Sequence, residues 1–156
     1  MVESGFNSQK KAGDEMLVGE FQHNIDTKGR VIVPAKFRDE LGDKIVITKG
    51  LDKCLFIFPE TEWSKLETEL SELSLSKGRK IQRFFYGGMT ECEIDKQGRI
   101  LVPQNLRDYS ELIKDVVFVG LSKRAELWSK DEWDKQNNDF IEDAEDVAIQ
   151  MEELGI

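Results

Sequence analysis

An α+β fold with internal pseudo-twofold symmetry follows from three features of the 156-residue chain. First, the segment Ile25-Asp26-Thr27-Lys28-Gly29-Arg30-Val31-Ile32-Val33-Pro34-Ala35-Lys36-Phe37-Arg38-Asp39 returns 69 residues later as Ile94–Asp108, with Asp, Gly, Arg, Pro, Arg and Asp in register. Second, each copy places a glycine turn between β-prone segments. Third, no Pro/Ser-rich linker separates the copies, and a hairpin-rich unit of about fifty residues cannot bury its own apolar surface, so the two share one core. Val46–Leu51 is answered by Val116–Leu121 and Glu62-Trp63 by Glu132-Trp133. A period this long in only two copies excludes a solenoid.

The elements follow in order. Glu20–Ile25 and Glu91–Ile94 suit short strands. Asp26–Arg30 then matches a three-residue hairpin loop, a type I turn closed by Gly29 in the left-handed region, and Gly98 does the same in the second copy. Arg30–Val33 and Arg99–Val102 are β-branched and apolar return strands. Pro34 and Pro103 end them and pre-set φ for short helices reaching about Leu41 and Tyr109, with Phe37, Leu41 and Leu106 facing inward. Lys44–Lys49 and Val116–Val119 read as strands, Gly50–Lys53 and Gly120–Lys123 as turns, and Cys54–Phe58 and Arg124–Trp128 as further strands. Pro59-Glu60-Thr61-Glu62 opens a helix through about Leu73. Ser129-x-x-Glu132 is a capping box that opens its counterpart. Between the copies, Lys77–Tyr86 reads as a short helix ending at Gly87-Gly88.

Composition narrows the function. At 39% apolar and 34% charged residues the chain builds a core and is not a disordered sequence. No apolar run approaches the 18 or so residues of a membrane span, and the first sixteen residues hold no apolar h-region. Two cysteines, Cys54 and Cys92, make no disulfide framework and read as small, buried, reduced thiols. The single histidine, His23, excludes a His-rich metal cluster and reads as a packed side chain. Trp63, Trp128 and Trp133 read as core or interface anchors. The sequence holds no P-loop, no H-E-x-x-H and no nucleophile elbow, so no enzyme is expected, and no cofactor or metal.

The net charge of −9 is unevenly placed. Of 31 acids and 22 bases, ten acids and one base lie between Asp131 and Ile156, leaving 21 of each in residues 1–130. The deficit belongs to the C-terminal segment, and the rest of the chain is free to carry basic patches. Phe140, Val147 and Leu154 recur every seven residues in that segment, which fits a solvated helix, a helix packed on a neighbour, or a surface that repels DNA from the wrong face. Lys77–Arg83 reads as a solvated basic helix face.

One such patch coincides with the repeat. Lys28 projects from the turn, Arg30 follows, and Lys36 and Arg38 lie on the adjoining helix; the second copy supplies Lys96, Arg99 and Arg107. A hairpin enters the major groove, where an arginine reads guanine for about 1–3 kcal/mol while lysines fix phosphates. An architectural reading stands beside this one. Across a three-residue loop Asp26 faces Arg30 and Asp95 faces Arg99, and such pairs stabilise a hairpin by roughly 0.2–1 kcal/mol. Both roles hold if Asp26 orients Arg30 toward DNA. The second edge is less basic, because Thr27-Lys28 is replaced by Lys96-Gln97 and Lys36 by Asn105.

Gly19–Arg30, together with D-x-x-x-R and its following proline repeated at Asp95–Pro103, resembles the MraZ family, bacterial transcription regulators associated with the division and cell-wall gene cluster. The resemblance runs from about Met16 to about Asp139. It implies two tandem AbrB-like swapped-hairpin units forming a β-barrel-like core with flanking helices. It also implies sequence-specific double-stranded DNA binding at promoter repeats through the Asp26–Arg30 and Asp95–Arg99 regions; within and beside them Arg30 and Arg99 are expected to contact bases or phosphates, with Lys28, Lys96, Arg38 and Arg107 assisting and Asp26, Gly29, Asp95 and Gly98 shaping the motif. The protein is expected to form a ring-like homo-oligomer in the cytoplasm, associated with the nucleoid, without membrane or small-molecule partners. The expected division is an N-terminal extension or tag over 1–15, disordered; a first unit over 16–73; a helical connector over 74–88; a second unit over 89–140; and an acidic C-terminal helix over 141–156. The alternative is an AbrB-type antitoxin or protein-binding scaffold engaged through that acidic helix.

Overall fold

The structure, a computed structural model, describes residues 16–156; the expected extension over 1–15 lies outside the described residues. The first copy contributes β1 (Leu17–Asn24), β2 (Arg30–Ile32), α1 (Ala35–Leu41), β3 (Lys44–Lys49), β4 (Cys54–Pro59) and α2 (Glu60–Ser71). After α3 (Leu75–Gly88) the second copy repeats the order with β5 (Thr90–Glu93), β6 (Arg99–Leu101), α4 (Gln104–Ser110), β7 (Asp115–Ser122), β8 (Ala125–Ser129) and α5 (Lys130–Glu142). A last helix, α6 (Ala144–Glu153), closes the chain.

Six strands form one antiparallel sheet in the order β1-β7-β8-β4-β3-β5, and β2 and β6 form a separate two-stranded ribbon. The first strand of each copy pairs with the other copy: β1 runs along β7 from Leu17↔Ser122 to Asn24↔Asp115, and β5 runs along β3. The strand after the glycine turn does not fold back along its own incoming strand. Beyond the single bridge Ile25↔Val31, β2 leaves to pair with β6. Equivalent residues face each other at the centre of both pairings, Phe56 opposite Glu126 and Val31 opposite Ile100, so the pseudo-twofold axis passes through the ribbon and the middle of the sheet.

The expected barrel-like core is corrected by this topology: the sheet is open. β4 and β8 meet at its centre, which sends β1 and β5 to opposite margins. The ribbon strands, three residues each, pair with each other and close no barrel. The turn expected at Gly120–Lys123 also shifts. Pairing with β1 holds β7 extended as far as Ser122, and the chain reverses at Ser122, whose φ is 70°.

Side-chain alternation along the strands gives the sheet two apolar faces. On one, Ile45, Ile47, Leu55, Ile57, Val116, Phe118 and Leu127 pack against Val31 and Ile100 of the ribbon, Phe37 of α1 and Leu106 of α4. On the other, Val46, Phe56, Phe58, Val117, Val119 and Trp128 pack against Trp63 and Leu70 of α2, Phe85 of α3 and Trp133 of α5. The molecule is therefore three layers, with the ribbon and the helical layer on opposite sides of one sheet. Trp63 and Trp128 are core residues; Trp133 is half-buried, tilted on Trp128 at 5.5 Å and donating to Glu20 Oε1 at 3.0 Å. His23 packs edge-on against Phe118 at 5.9 Å.

The helix ends obey local chemistry. The Ser129 hydroxyl accepts from the Glu132 amide at 3.1 Å, so the capping serine of α5 forms as expected. Ser74 caps α3 in the same way, accepting from the Lys77 amide at 3.3 Å. The acidic segment is two helices that meet at Asp143, and neither buries a single side chain.

Candidate nucleic-acid interface

Each glycine turn is held by one carboxylate. Asp26 Oδ1 accepts from the amides of Lys28 and Arg30, both at 2.9 Å, and Oδ2 accepts from Arg30 Nε at 2.7 Å. Asp95 repeats the pattern with the amides of Gln97 at 2.9 Å and Arg99 at 2.8 Å, and with Arg99 Nε at 3.0 Å. The backbone closes each loop: Asp26 N donates to Arg30 O at 2.9 Å and Gly29 N to Asp26 O at 3.0 Å, with matching bonds at Asp95 and Gly98. Accepting these bonds, the Arg30 amide first, holds the Asp26 carboxyl down from its ordinary 3.8 to about 2, and Asp95 is lowered for the same reason by the Arg99 amide.

The architectural pair and an outward arginine thus coexist. Only Nε of each guanidinium is engaged by its aspartate, and Arg30 and Arg99 remain 40% and 33% exposed. Among the described residues the terminal nitrogens of both have no protein partner, leaving a forked pair of donors that a guanine edge or a phosphate accepts. Lys28 and Lys96 are exposed at the loop tips.

The ribbon brings the two turns onto one surface. Arg30 pairs with Leu101 and Ile32 with Arg99, and these four positions share the face opposite the core-facing pair Val31–Ile100. The arginines occupy one diagonal of that face. Ile32 and Leu101 occupy the other, 45% and 56% exposed. Along the strand Arg30 and Arg99 are two positions apart, roughly 7 Å, the span of about two base-pair steps. The sequence reading missed Ile32 and Leu101, although period-two alternation carries them: with Val31 and Val33 inside, Ile32 must point out.

Arg38 and Arg107, expected to assist DNA binding, are half-buried like Arg30 and Arg99, and each lies against a glycine turn. Arg107 reaches beneath the first turn, donating from Nε to Val102 O at 3.0 Å and from Nη1 to Thr27 O at 3.3 Å, with its guanidinium against Gly29. Arg38 lies symmetrically against Gly98 of the other turn, its Nε buried without a hydrogen-bond partner. The helix of each copy therefore buttresses the turn of the other. Lys36 stays exposed on α1.

Among the described residues no group of three or more His, Cys, Asp or Glu side chains is arranged to hold a metal ion, and no helix is long and apolar enough to cross a membrane. Burial pushes the Cys54 thiol up to about 12 and the Cys92 thiol up to about 11, far from the thiolate a nucleophile needs.

Comparison with known proteins adds a further line. A family model described as "MraZ protein, putative antitoxin-like" matches residues 16–83 and again 85–151, one match per copy of the repeat. A protein of Halothermothrix orenii named transcriptional regulator MraZ is 54% identical over 143 residues, covering 90% of this chain and all of that relative. Proteins of the same name from Desulforamulus reducens and Thermoanaerobacter pseudethanolicus are each 52% identical, over 89% and 90% of this chain and 99% and 100% of their own lengths.

Proposed function

The chain belongs to the MraZ family, and from that premise we propose that it is a DNA-binding transcriptional regulator that reads duplex DNA with the ribbon face. The reading assigns it no catalysis. One observation carries the proposal: two arginines, each oriented by an aspartate through Nε, present their free terminal donors on one exposed face. A two-stranded ribbon of this width fits the major groove, where paired arginines recognise guanines and the intervening Ile32 and Leu101 meet thymine methyl groups. Lys28 and Lys96 at the tips contact phosphates, which fix register without reading sequence. Arg38 and Arg107 act beneath the turns, as supports that hold the tips in place. The finer expectations belong to the same proposal: a cytoplasmic, nucleoid-associated homo-oligomeric ring whose several ribbons select promoter repeats of the division and cell-wall cluster through effective concentration.

The test is the double substitution Arg30→Ala, Arg99→Ala. Both side chains are partly exposed and each backbone turn keeps its aspartate, so the variant is expected to match the parent in circular dichroism and unfolding temperature while losing specific duplex binding. Selection of bound duplexes from a random pool should return short repeats at fixed spacing. Unfolding of the variant, or undiminished binding, overturns the proposed role of the arginines.

A further inference from the structure

The crossing of the two copies decides which helix stands beside which turn. α4 belongs to the second copy but flanks the turn of the first: the Val102 amide donates to Gly29 O at 2.8 Å, and Arg107 reaches Thr27 O. Between this turn and α4 runs an open groove of about 480 Å³, whose walls include Asp26 and Thr27 of the turn and Gln104, Arg107 and Asp108 of α4. α1 stands in the same way beside the second turn, the Val33 amide donating to Gly98 O at 2.8 Å. The neighbours of the two turns therefore differ. Gln104-Asn105 lies beside Asp26–Arg30, and Ala35-Lys36 beside Asp95–Arg99.

Gln104 is held as the two arginines are. It is the first residue of α4, it is exposed, and its Nε2 donates to Asp108 Oδ1, one helical turn along, at 2.7 Å. That bond engages one amide hydrogen. The second hydrogen and the Oε1 carbonyl have no protein partner among the described residues. They form a coplanar donor and acceptor, the pair that matches N7 and the N6 amino group of adenine. The acids of the groove are each engaged: Asp26 by Arg30, Asp108 by Gln104, and Glu111 by Lys53 Nζ at 3.2 Å. Asn105 is exposed too but does not line the groove. Ala35, the counterpart beside the second turn, has no polar side chain for Asp39 to orient.

We propose that Gln104 is a base-reading residue of the DNA interface, with Asp108 as its positioning residue, and that it selects adenine in the half of the site under the first turn. The proposal rests on the ribbon-face reading given above. Gln104 follows three residues after Leu101, which faces Arg30 in the ribbon. It therefore lies within about 10 Å of that pair along the chain, or about three base-pair steps. The other half of the site lacks this contact, because Ala35 offers a methyl group and Lys36 a point charge suited to phosphate. Bound duplexes are thus expected to carry an adenine preference on one flank with no mirror image on the other.

Selection from a random duplex pool, run on the full-length parent and its variants, tests this. Gln104→Ala should erase the adenine preference at one position and weaken the parent's preferred duplex by about 5- to 150-fold. The other positions and the salt dependence should stay as they are. Gln104→Arg, which keeps a partner in Asp108, should turn the preference at that position to guanine. Asp108→Ala should weaken the same preference by less, and Asn105→Ala should leave it intact. The three side chains are exposed and alanine is a strong helix former, so the alanine variants should unfold at the parent's temperature. A parent that selects no sequence overturns the ribbon-face reading and this role together. A parent that selects a sequence, with Gln104→Ala retaining every preference, overturns the role of Gln104 alone. So does a uniform loss of affinity with all preferences intact, which assigns Gln104 to phosphate or to helix stability.

Discussion

Gly29 sits at φ 92° with no room for a side chain: a Cβ there would lie 2.5 Å from the Val102 carbonyl oxygen and 2.8 Å from Arg107 Nε. Gly42 also has a positive φ, 79°, but with ψ −174° it lies in a region open essentially to glycine alone, and nothing lies within 4 Å of the equivalent position. Gly42→Ala should therefore cost a backbone penalty of about 1–3 kcal/mol without a clash, whereas Gly29→Ala must also displace Val102 or Arg107. Urea unfolding should show a lower midpoint for both at an unchanged m value, with faster amide exchange at the Asp26–Arg30 turn for Gly29→Ala alone. Asp26 makes a second prediction at this scale. Its carboxyl is held below the ordinary value, so its contribution to the turn is complete above about pH 4 and disappears as pH falls toward 2. The carboxyl carbon shift should titrate near 2, with Asp95 also displaced downward. Both turns were legible in the sequence because everything that makes them lies within five residues: an aspartate that accepts three bonds and a glycine that closes the loop.

At the scale of elements, the strand partners were the part that local pattern does not encode. The two copies carry the same apolar alternation, so β1 is as well suited to β3 of its own copy as to β7 of the other. The swap entered the reading only through family resemblance. From it follow the two departures at the site: β2 pairs with β6 instead of returning along β1, and the α1 and α4 arginines lie under the opposite turns. Arg107→Ala removes the bonds to Val102 O and Thr27 O across the copies. It should loosen the Asp26–Arg30 turn, read as faster amide exchange at Lys28 and Gly29, while the six-stranded sheet keeps its protection. The strands also shield their thiols. Cys54 on β4 and Cys92 on β5 are both raised by burial, so a disulfide reagent at pH 8 should label neither in the native protein and both after unfolding.

For the whole molecule, the overall charge was the least informative quantity and its distribution the most. The anionic surplus is carried by α5, α6 and the residues beyond, in the layer opposite the ribbon, so it does not lie between the arginines and a duplex. Duplex binding should accordingly weaken with salt at a log–log slope of about −0.9 per phosphate neutralised, and substituting Lys28 or Lys96 by alanine should reduce that slope while leaving sequence preference intact. The interlaced strands have a last consequence. What two separate polypeptides would achieve by exchanging arms, one polypeptide achieves by covalent fusion, so the pairing of halves no longer depends on concentration. Fusion also releases the halves from identity. A symmetric pair is confined to palindromes, whereas here one tip carries Thr27-Lys28 and the other Lys96-Gln97, so mutation can tune each reading head separately and fit a target that runs in a single direction.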